Sequence, residues 1–348
     1  MKLSALASAV PEVVLTQQQC WDRLTHSSAL DSLRPASQKL LGQFLLNENG
    51  IRQRHLAMHD MHQLAQATPA DLNQVFEQEA PALGARALQS ALQSGGIDVD
   101  TIDALFVCTC TGYLCPGPGS YIAEMCGMRD DVCLFDLVGQ GCGAAIPLLH
   151  AAAGYLKQHP DHRAACIAVE ICSAAFYMDD DPGVLVSLAL FGDGAHASIW
   201  QGHGAEAGLG TLSGFQSVHL PAARDSLRFI NADGFLKNQL HRSVPETVGR
   251  AVRKLYQQTH QPRPARIISH GGGRDVLNAV EVATGSGPLG ESRAVLRDYG
   301  NMSSPSVLFA LEQHLQSETP AADLWLVSFG AGFTCHAARF RQAQNAHV

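Results

Sequence analysis

The sequence contains no stretch rich in lysine or arginine. Its 24 basic residues are outnumbered by 32 acidic ones, which gives a formal net charge of −8 at pH 7. Proteins that bind nucleic acid present a basic patch or stripe to the phosphate groups, so the composition argues against such a partner. The 348 residues, 46% of them hydrophobic, suffice for one large domain or two fused halves with a sizeable core.

The sequence also lacks an uninterrupted apolar run of about 18 residues, the length that a membrane-spanning helix requires. The first ten residues, MKLSALASAV, superficially resemble a signal peptide. Their apolar stretch is weak, is broken by two serines and ends at Pro11, which favours a first β-strand. We therefore predict no membrane span.

A metal-binding pattern is missing as well. Cys108, Cys110 and Cys115 lie close together, but no second pair of cysteines or histidines follows at the spacing of a zinc site. The segment GGGRD lacks the Lys-Ser/Thr pair of a phosphate-binding loop. Most of the ten cysteines lie in apolar runs, as small buried hydrophobic residues do. We predict no metal site, no disulfide framework and a reducing, cytoplasmic setting.

What the sequence does contain is an alternation of helical and strand-like segments. In the first half, the pattern predicts helices at Pro81–Leu92, Pro118–Cys126 and Cys142–Leu156, and strands at Ile102–Cys110, Cys133–Val138, Ala164–Cys172 and Ala195–Trp200. In the second half, it predicts helices at Asp275–Val282 and Ser303–Gln316, and strands ending at Ile268 and spanning Leu324–Val327 and Phe333–Phe340. Pro81 is expected at the first position of its helix.

Alternating helices and buried strands predict an α/β fold with a layered sheet. The two halves of the chain also echo each other. LFVCTCTG is similar to RIISHGGG, and AACIAVE followed by GDGAHASIW is similar to DLWLVSF followed by GFTCHAARF. We therefore expect two related halves, residues 1–204 and residues 205–348.

Cys142 is the first candidate for chemistry. It lies in GQGCGAA, between a predicted strand and a long predicted helix, among small residues that let a substrate approach. The dipole and free N–H groups of a helix N-terminus favour a thiolate and are able to hold an oxyanion. The alternative is a packed core cysteine. The density of glycine and alanine around Cys142 favours the nucleophile.

His270 and Asn301 are two further candidates. His270 follows a predicted strand and precedes three glycines, which would give a ligand close access; a capping histidine before a turn explains the pattern equally well. Asn301, in YGNMSSPS, is suited to donate to a developing negative charge. Taken alone, it is better explained as the cap of the following helix.

Together these segments resemble a known family. GQGCGAA, SHGGGRDVLNAVE and YGNMSSPSVLFALE occur in the order and spacing of the motifs of the chalcone and stilbene synthases, the type III polyketide synthases of the thiolase superfamily. ALFGDGA, SFGAGFT, CTGYLCPGPG and GIRQRH also resemble family segments, so the similarity covers nearly the whole chain. The HGGG and GNMSS segments are closer to this branch than to the related ketoacyl synthase III enzymes.

The resemblance implies a five-layered αβαβα fold and a homodimer. It implies that Cys142 carries the acyl chain, that His270 pairs with the thiolate, and that Asn301 joins His270 in stabilising the enolate formed when malonyl thioester loses CO2. The substrates would be acyl-CoA or acyl carrier protein as starter and malonyl-CoA or malonyl carrier protein as extender. No metal, flavin or nicotinamide cofactor is implied.

The resemblance also implies pocket residues. Phe191 would be the aromatic gate between the CoA tunnel and the inner cavity, and Cys172 and Ala175 would line that cavity. Cys115 would close the cavity of the partner subunit, and Ser303 would flank the site beside Asn301. In one departure from plant relatives, LLGQFLLNEN carries no basic residue to hold the CoA phosphates; the nearest are Lys39, Arg52 and Arg54.

Three alternatives stand beside the iterative synthase. The first is a ketoacyl synthase that condenses only once. The second is a Cys-His-Asn thioester hydrolase, although the cysteine signature of papain-like enzymes is absent. The third is a subunit without catalytic activity, against which the complete Cys-His-Asn set argues.

Overall fold

The computed structural model describes residues 1–60, 64, 66–202, 208–258 and 262–343. The α-helices in these ranges are α1 Gln17–Thr25, α2 Pro35–Leu46, α3 Pro69–Gly95, α4 Pro118–Cys126, α5 Ala145–Gln158, α6 Pro182–Leu190, α7 Val244–Gln258, α8 Arg274–Thr284, α9 Gly290–Tyr299 and α10 Ser306–Leu315. The strands are β1 Lys2–Ala9, β2 Val14–Thr16, β3 Gln53–His55, β4 Ala104–Cys108, β5 Cys133–Leu137, β6 Arg163–Glu170, β7 Gly194–Gln201, β8 Gly210–His219, β9 Leu227–Ala232, β10 Phe235–Leu240, β11 Arg266–Ser269, β12 Asp323–Gly330 and β13 Thr334–Gln342.

Nine of these strands form one sheet, in the order β11-β12-β13-β8-β1-β7-β6-β4-β5. On one side of the junction between β1 and β8, β4 is parallel to β6, while β6 pairs with β7 and β7 with β1 in antiparallel fashion. On the other side, β11 is parallel to β12, while β12–β13 and β13–β8 are antiparallel. The same pairing pattern therefore occurs on both sides of the junction.

The helices lie in layers around this sheet. Helices α5 and α10 share one core cluster with strands from both parts of the sheet, so they are buried between the two parts. Helix α3 packs on the outer face of the first part, and α7 and α8 pack on the outer face of the second. The order of layers is helix, sheet, helix, sheet, helix, which confirms the predicted α/β class.

The strands form where the sequence has continuous apolar runs. All five residues of β4 are buried, as are seven of the eight in β6, as expected for strands covered by helices on both faces. The predicted N-terminal strand is also present as β1. The predicted boundary between residues 204 and 205 lies outside the described residues.

The prediction for Pro81 is wrong. Helix α3 begins at Pro69, after a capping box formed by Thr68 and Asp71, and Pro81 lies in the helix interior. Proline is normally costly there. In this helix the apolar face around Leu83 and Leu88 is buried against the sheet, and this packing outweighs the local preference.

The helices that carry the site begin later than predicted. Cys142 lies in a 3₁₀ turn, Gly141–Gly143, and α5 starts at Ala145. Pro147 is therefore in the first turn of α5, where no intrahelical hydrogen bond is lost. Likewise, Ser303 precedes α10, which starts at Ser306.

Candidate active site

Cys142 is held in a tight turn between β5 and α5. Gly141 has a φ of +57°, and a Cβ atom there would lie 2.8 Å from the backbone nitrogen of Ala331. The carbonyl of Gly143 accepts a 3.0 Å hydrogen bond from the Ser328 hydroxyl. The glycines beside Cys142 are needed because the turn packs directly on the loop after β12.

The thiol of Cys142 is partly buried and has a perturbed pKa. The neighbouring Cys110 thiol lowers this pKa most, and the His270 ring and the Ser303 hydroxyl lower it further, while burial acts in the opposite direction. The net result is a pKa well below the usual range of a thiol. Of the two neighbouring cysteines, Cys142 and Cys110, Cys142 is therefore the one that ionises. The thiolate is the nucleophilic form of cysteine.

Cys110 has the opposite character. The adjacent Cys142 thiol raises its pKa most, and burial and the charge of Glu170 raise it further, to well above the usual range. Its sulfur lies 3.2 Å from the Ser303 hydroxyl oxygen. Cys110 therefore stays a neutral thiol that acts on Cys142.

His270 follows β11 and is 1% exposed. Its backbone nitrogen donates to the carbonyl of Val327, and its ring packs edge-on against Phe329, with 5.1 Å between ring centroids. The imidazole reaches the Cys142 thiol, whose pKa it lowers. His270 is thus fixed in a buried site beside the thiolate and does not cap an exposed turn.

Asn301 does not cap α10, whose N-cap residue is Pro305, so the helix cap that its sequence context favours is wrong. Its backbone pairs instead with the segment around Phe191: its nitrogen donates to Leu190, and its carbonyl accepts from Gly192. Its side-chain oxygen accepts a 2.8 Å hydrogen bond from the backbone nitrogen of Ser303. This arrangement orients the amide nitrogen of Asn301 toward the carbonyl of Gly272, 3.5 Å away.

Cys142, His270 and Asn301 line one cavity with a volume of about 480 Å³. Most of the remaining wall is apolar. It is formed mainly by Phe44, Pro182, Val186, Leu190, Phe191, Leu227, Leu240, Val244, Pro245, Val276 and Phe329. The structure therefore brings together three predicted residues that lie up to 159 positions apart in the sequence.

A narrow inner chamber adjoins this cavity, and Phe191 lines both of them. Cys172, Ala175 and Ser303 also line the chamber. The chamber has a cavity volume of only about 20 Å³. In this structure the chamber is a slot between side chains.

Cys115 is exposed and is not among the residues that line the cavity or the chamber of its own chain. It lies in the loop between β4 and α4, in which Gly117 lies directly against Asp136 of the edge strand β5. Cys115 thus stands apart from the other predicted pocket residues.

Glu170 is a site residue that the sequence interpretation missed. It ends β6, is fully buried, and accepts hydrogen bonds from the backbone nitrogens of Cys110 and Thr111. Four hydroxyl groups, those of Thr109, Thr111, Ser303 and Ser304, also donate to this carboxylate. A single glutamate at the end of the apolar run AACIAVE was the signal in the sequence, because a buried carboxylate requires such partners.

Ser303 adopts a strained backbone conformation with a φ of +59°. Left-handed conformations of residues other than glycine are uncommon and are found at sites that the surrounding structure fixes. Here the contacts of Ser303 with Cys110, Glu170 and Asn301 fix it. The loop after Asn301 is therefore held against the end of β4.

Of the three basic residues nearest to the segment that departs from plant relatives, Arg54 and Arg52 have partners within the protein. Arg54 is 1% exposed and donates to the carbonyls of Leu188 and Phe191, and Arg52 pairs with Asp298. By contrast, Arg242 lines the large cavity, is exposed, and has no ion pair with any described residue. Arg242 is the cation best situated to meet a phosphate at this cavity.

Within the described ranges, no group of three or more His, Cys, Asp or Glu side chains is arranged to hold a metal ion. In the same part of the chain, no helix has both the length and the apolar character needed to cross a membrane.

Comparison with known proteins identifies the family. Residues 1–204 match the model for the N-terminal domain of chalcone and stilbene synthases, and residues 219–341 match the model for their C-terminal domain. A 1,3,6,8-tetrahydroxynaphthalene synthase of Streptomyces peucetius subsp. caesius is 32% identical over 86% of this chain and 83% of its own length. A 3,5-dihydroxyphenylacetyl-CoA synthase of Amycolatopsis orientalis is 32% identical over 76% of this chain and 75% of its own.

Solved structures show the same fold. The 1,3,6,8-tetrahydroxynaphthalene synthase of Streptomyces coelicolor, a bacterial type III polyketide synthase, superposes with a TM-score of 0.88 at 23% identity, over 99% of this chain and 100% of that one. The type III polyketide synthase domain of Steely1 from Dictyostelium superposes with a TM-score of 0.87 at 22% identity, over 99% of both chains.

The chain belongs to the chalcone and stilbene synthase family. It is an acyltransferase of the type III polyketide synthase kind, with a thiolase-like fold. This membership favours the condensing enzyme over the single-condensation, hydrolase and non-catalytic alternatives.

Proposed function

We propose that this type III polyketide synthase carries its acyl chain as a thioester on Cys142 and extends it with a malonyl thioester. The observation that carries the proposal is the convergence of Cys142, His270 and Asn301 on one cavity, with the pKa of the Cys142 thiol well below its usual range. A thiolate attacks a thioester carbonyl readily. The carbon–sulfur bond to Cys142 forms, and the thiol of the starter's carrier leaves.

The extension step needs an enolate. Malonyl thioester loses CO2, and the electron pair of the broken carbon–carbon bond moves onto the thioester carbonyl as an enolate. The His270 ring and the Asn301 amide, both aimed at the cavity, would donate hydrogen bonds to that oxygen. The enolate carbon then attacks the acyl group on Cys142, and the Cys142 thiolate leaves, ready to receive the longer chain.

The tightly packed backbone around Asn301 supports this assignment. The hydrogen bond from Ser303 to the amide oxygen of Asn301 leaves its N–H groups for other acceptors. Within the described residues, the only protein acceptor for these N–H groups is the carbonyl of Gly272, at a long 3.5 Å. An amide that is fixed in orientation and only weakly engaged is suited to bind a developing negative charge.

We infer that coenzyme A is the carrier of both substrates. The relatives named 3,5-dihydroxyphenylacetyl-CoA synthase are named for a coenzyme A thioester, and Arg242 offers an unpaired cation at the cavity that holds Cys142. Guanidinium groups bind phosphate through charge-assisted hydrogen bonds. No metal or other cofactor takes part in these steps.

The inner chamber is the proposed site of the growing chain. Phe191 lies between the chamber and the cavity and would act as the gate, while Cys172, Ala175 and Ser303 would contact the chain. Because the chamber is a narrow slot in this structure, we expect the side chains around it to move apart when a chain enters.

We further propose that the protein is a homodimer, joined at β5. This strand is the edge of the large sheet, and Leu134, Phe135 and the following Val138 are 41%, 44% and 49% exposed. An unpaired edge with exposed apolar side chains is a template for pairing with another chain. Cys115 lies in the adjoining loop, from which it would reach the cavity of the partner subunit.

Two broader assignments complete the proposal. The chain is divided into the halves 1–204 and 205–348, which is supported by the repeated strand pairing on the two sides of the β1–β8 junction. The setting is the cytoplasm, which is supported by ten cysteines that are all free thiols.

The proposed function is tested with malonyl-CoA that carries a label in its free carboxyl group, a panel of acyl-CoA starters, and Cys142→Ala in parallel. We expect a chain-extended product from the intact protein only, with the product mass giving the number of extensions, while the release of labelled CO2 depends on His270 and Asn301 and does not require Cys142. Loading of Cys142 is followed separately by intact mass. If neither an acyl adduct nor CO2 appears with coenzyme A or carrier-protein thioesters, the proposed roles are wrong.

A further inference from the structure

The inner chamber has one polar feature that the condensation chemistry does not use. Most of its wall is apolar, formed by Phe176, Tyr177, Val184, Phe191, Phe229 and Leu236. Two polar side chains, Ser187 from α6 and Asn238 from β10, face each other in this wall. Both residues are buried, with 9% and 4% of their surface exposed.

The hydrogen bonds of this pair fix the orientation of the Asn238 amide. The Ser187 hydroxyl donates a 2.7 Å hydrogen bond to the carbonyl of Gly183, so its oxygen is left to accept. The amide nitrogen of Asn238 donates to that oxygen at 2.9 Å. A hydroxyl whose proton is already engaged requires a donor at this position, which places the amide nitrogen, and not its oxygen, beside Ser187.

This arrangement leaves most of the hydrogen-bonding capacity of Asn238 unused. An amide group has two N–H donors and one carbonyl oxygen, and the contact with Ser187 uses one donor. No described residue binds the second N–H or the oxygen. Buried polar groups are normally paired, so the free N–H in an apolar chamber calls for an oxygen atom that belongs to a ligand.

The chamber lies where an acyl chain on Cys142 would extend. Ser303 lines the chamber and contributes to the environment of the Cys142 thiol, and Phe191 lines both the chamber and the catalytic cavity. Asn238 pairs directly across the hairpin with Phe229, whose ring forms part of the same wall. A ligand oxygen at this point would therefore lie between the Phe229 ring and the Asn238 amide.

We propose that Asn238, oriented by Ser187, binds a keto oxygen of the acyl chain and makes the enzyme select oxygenated chains over plain alkyl chains of equal length. This inference rests on the proposed function, since it requires an acyl chain on Cys142. A site built to hydrogen-bond a substrate group rejects analogues that lack it, because its own polar group is then left buried and unpaired. Asn238 is therefore a specificity-determining residue.

The test measures the rate at which Cys142 is acylated in a single turnover, by intact mass. The starters are three coenzyme A thioesters with the same number of carbons: hexanoyl, 3-oxohexanoyl and 5-oxohexanoyl. We expect the wild-type protein to prefer at least one oxo chain over hexanoyl by about tenfold, the upper range of one neutral hydrogen bond. Asn238→Leu removes this preference, because it slows the oxo chain and speeds hexanoyl, which no longer leaves a buried amide unpaired.

Matched variants separate specificity from folding. Asn238→Asp keeps the shape of the side chain but loses the N–H donors, so it also loses the preference. Leu236→Ala changes an apolar residue of the same wall and keeps the ratio between starters. Ser187→Ala releases the amide and reduces the ratio in part. Thermal unfolding of each variant verifies that it is folded.

The outcomes distinguish this inference from the proposed function. An absence of any acyl adduct on Cys142 of the wild-type protein overturns both. Loading of all three chains at equal rates, or a preference that survives in Asn238→Leu and Asn238→Asp, overturns the assignment of Asn238 and leaves the role of Cys142 intact.

Discussion

The carboxylate of Glu170 accepts a 2.6 Å hydrogen bond from the hydroxyl of Ser304, although the two residues lie 134 positions apart. Both are fully buried. The same carboxylate binds the backbone nitrogens of Cys110 and Thr111. A single acidic side chain therefore ties the loop that follows Asn301 to the segment that carries Cys110, and so sets the position of two walls of the active site.

We predict that Glu170→Gln destabilises the fold. Glutamine has the same shape as glutamate. Its NH2 group, however, would replace a carboxylate oxygen and would face groups that now donate hydrogen bonds to that oxygen. The expected loss in the free energy of unfolding is about 2 kcal/mol, because the Ser303 and Ser304 hydroxyls lose a charged acceptor. Urea denaturation measures it. The exposed Glu124→Gln is the control, with an expected change of less than about 0.5 kcal/mol; a comparable effect of both substitutions would contradict the prediction.

The reactivity of Cys142 should extend to low pH. A folded-state pKa below the ordinary value means that the thiolate is present at pH values where a free thiol is still protonated. We expect the rate of alkylation by iodoacetamide, followed by mass spectrometry of the Cys142 peptide, to reach its plateau at lower pH than for glutathione in the same tube. His270→Ala should move the midpoint upward. A Cys142 profile that coincides with that of glutathione would refute the lowered pKa.

Cys110 should lower the pKa of Cys142 without itself binding the acyl chain. Its thiol is the largest influence that lowers the Cys142 pKa, so Cys110→Ala is expected to raise that pKa and to slow the loading of Cys142 most strongly at low pH. At high pH, where the thiolate forms anyway, loading should approach the wild-type rate. Cys126→Ala is the matched control, because burial raises the pKa of Cys126 to about 11 and it contacts α3, away from the cavity. A pH-independent loss in Cys110→Ala would indicate a purely structural role.

Arg242 should matter for the coenzyme A part of the substrate. We expect Arg242→Ala to raise the KM for malonyl-CoA by about tenfold, the effect of one charge-assisted hydrogen bond, and to leave kcat unchanged. Malonyl-pantetheine, which lacks the phosphates, should show no such difference between the two proteins. Arg34→Ala, which removes an exposed arginine paired with Asp180, serves as the control. Equal effects on both substrates would assign Arg242 to something other than phosphate.

The edge strand β5 should hold two subunits together. Leu134→Glu places a charge on the exposed apolar edge and is expected to shift the protein toward the monomer in sedimentation velocity. Val282→Glu on α8, where the side chain is 75% exposed, is the control and should leave the assembly unchanged. If Leu134→Glu has the wild-type sedimentation coefficient, β5 is not the interface.

Several features of the site were predictable from the sequence because they depend on local chemistry. The small residues around Cys142 indicated a tight turn, and the structure gives the reason: a Cβ atom at Gly141 would meet Ala331. The apolar runs indicated buried strands, since strands between two helical layers have no polar face. The order of the family motifs indicated which histidine and which asparagine to choose, a choice that residue type alone left open.

Other features depended on contacts between residues distant in the sequence. Asn301 has the sequence signature of a helix cap, but tertiary pairing with the Phe191 segment gives it a different place. Pro81 has the signature of a helix start, but burial of α3 against the sheet extends the helix beyond it.

The sequence by itself determined the α/β fold and indicated three residues that the structure places around one cavity, because periodicity and motif order are written along the chain. Only the tertiary structure decided that Cys142 is the ionised member of the pair with Cys110, that Glu170 holds the two walls together, and that Asn238 faces the inner chamber. The physical reason is that pKa values and hydrogen-bond satisfaction depend on neighbours in space, which the linear order of residues does not specify.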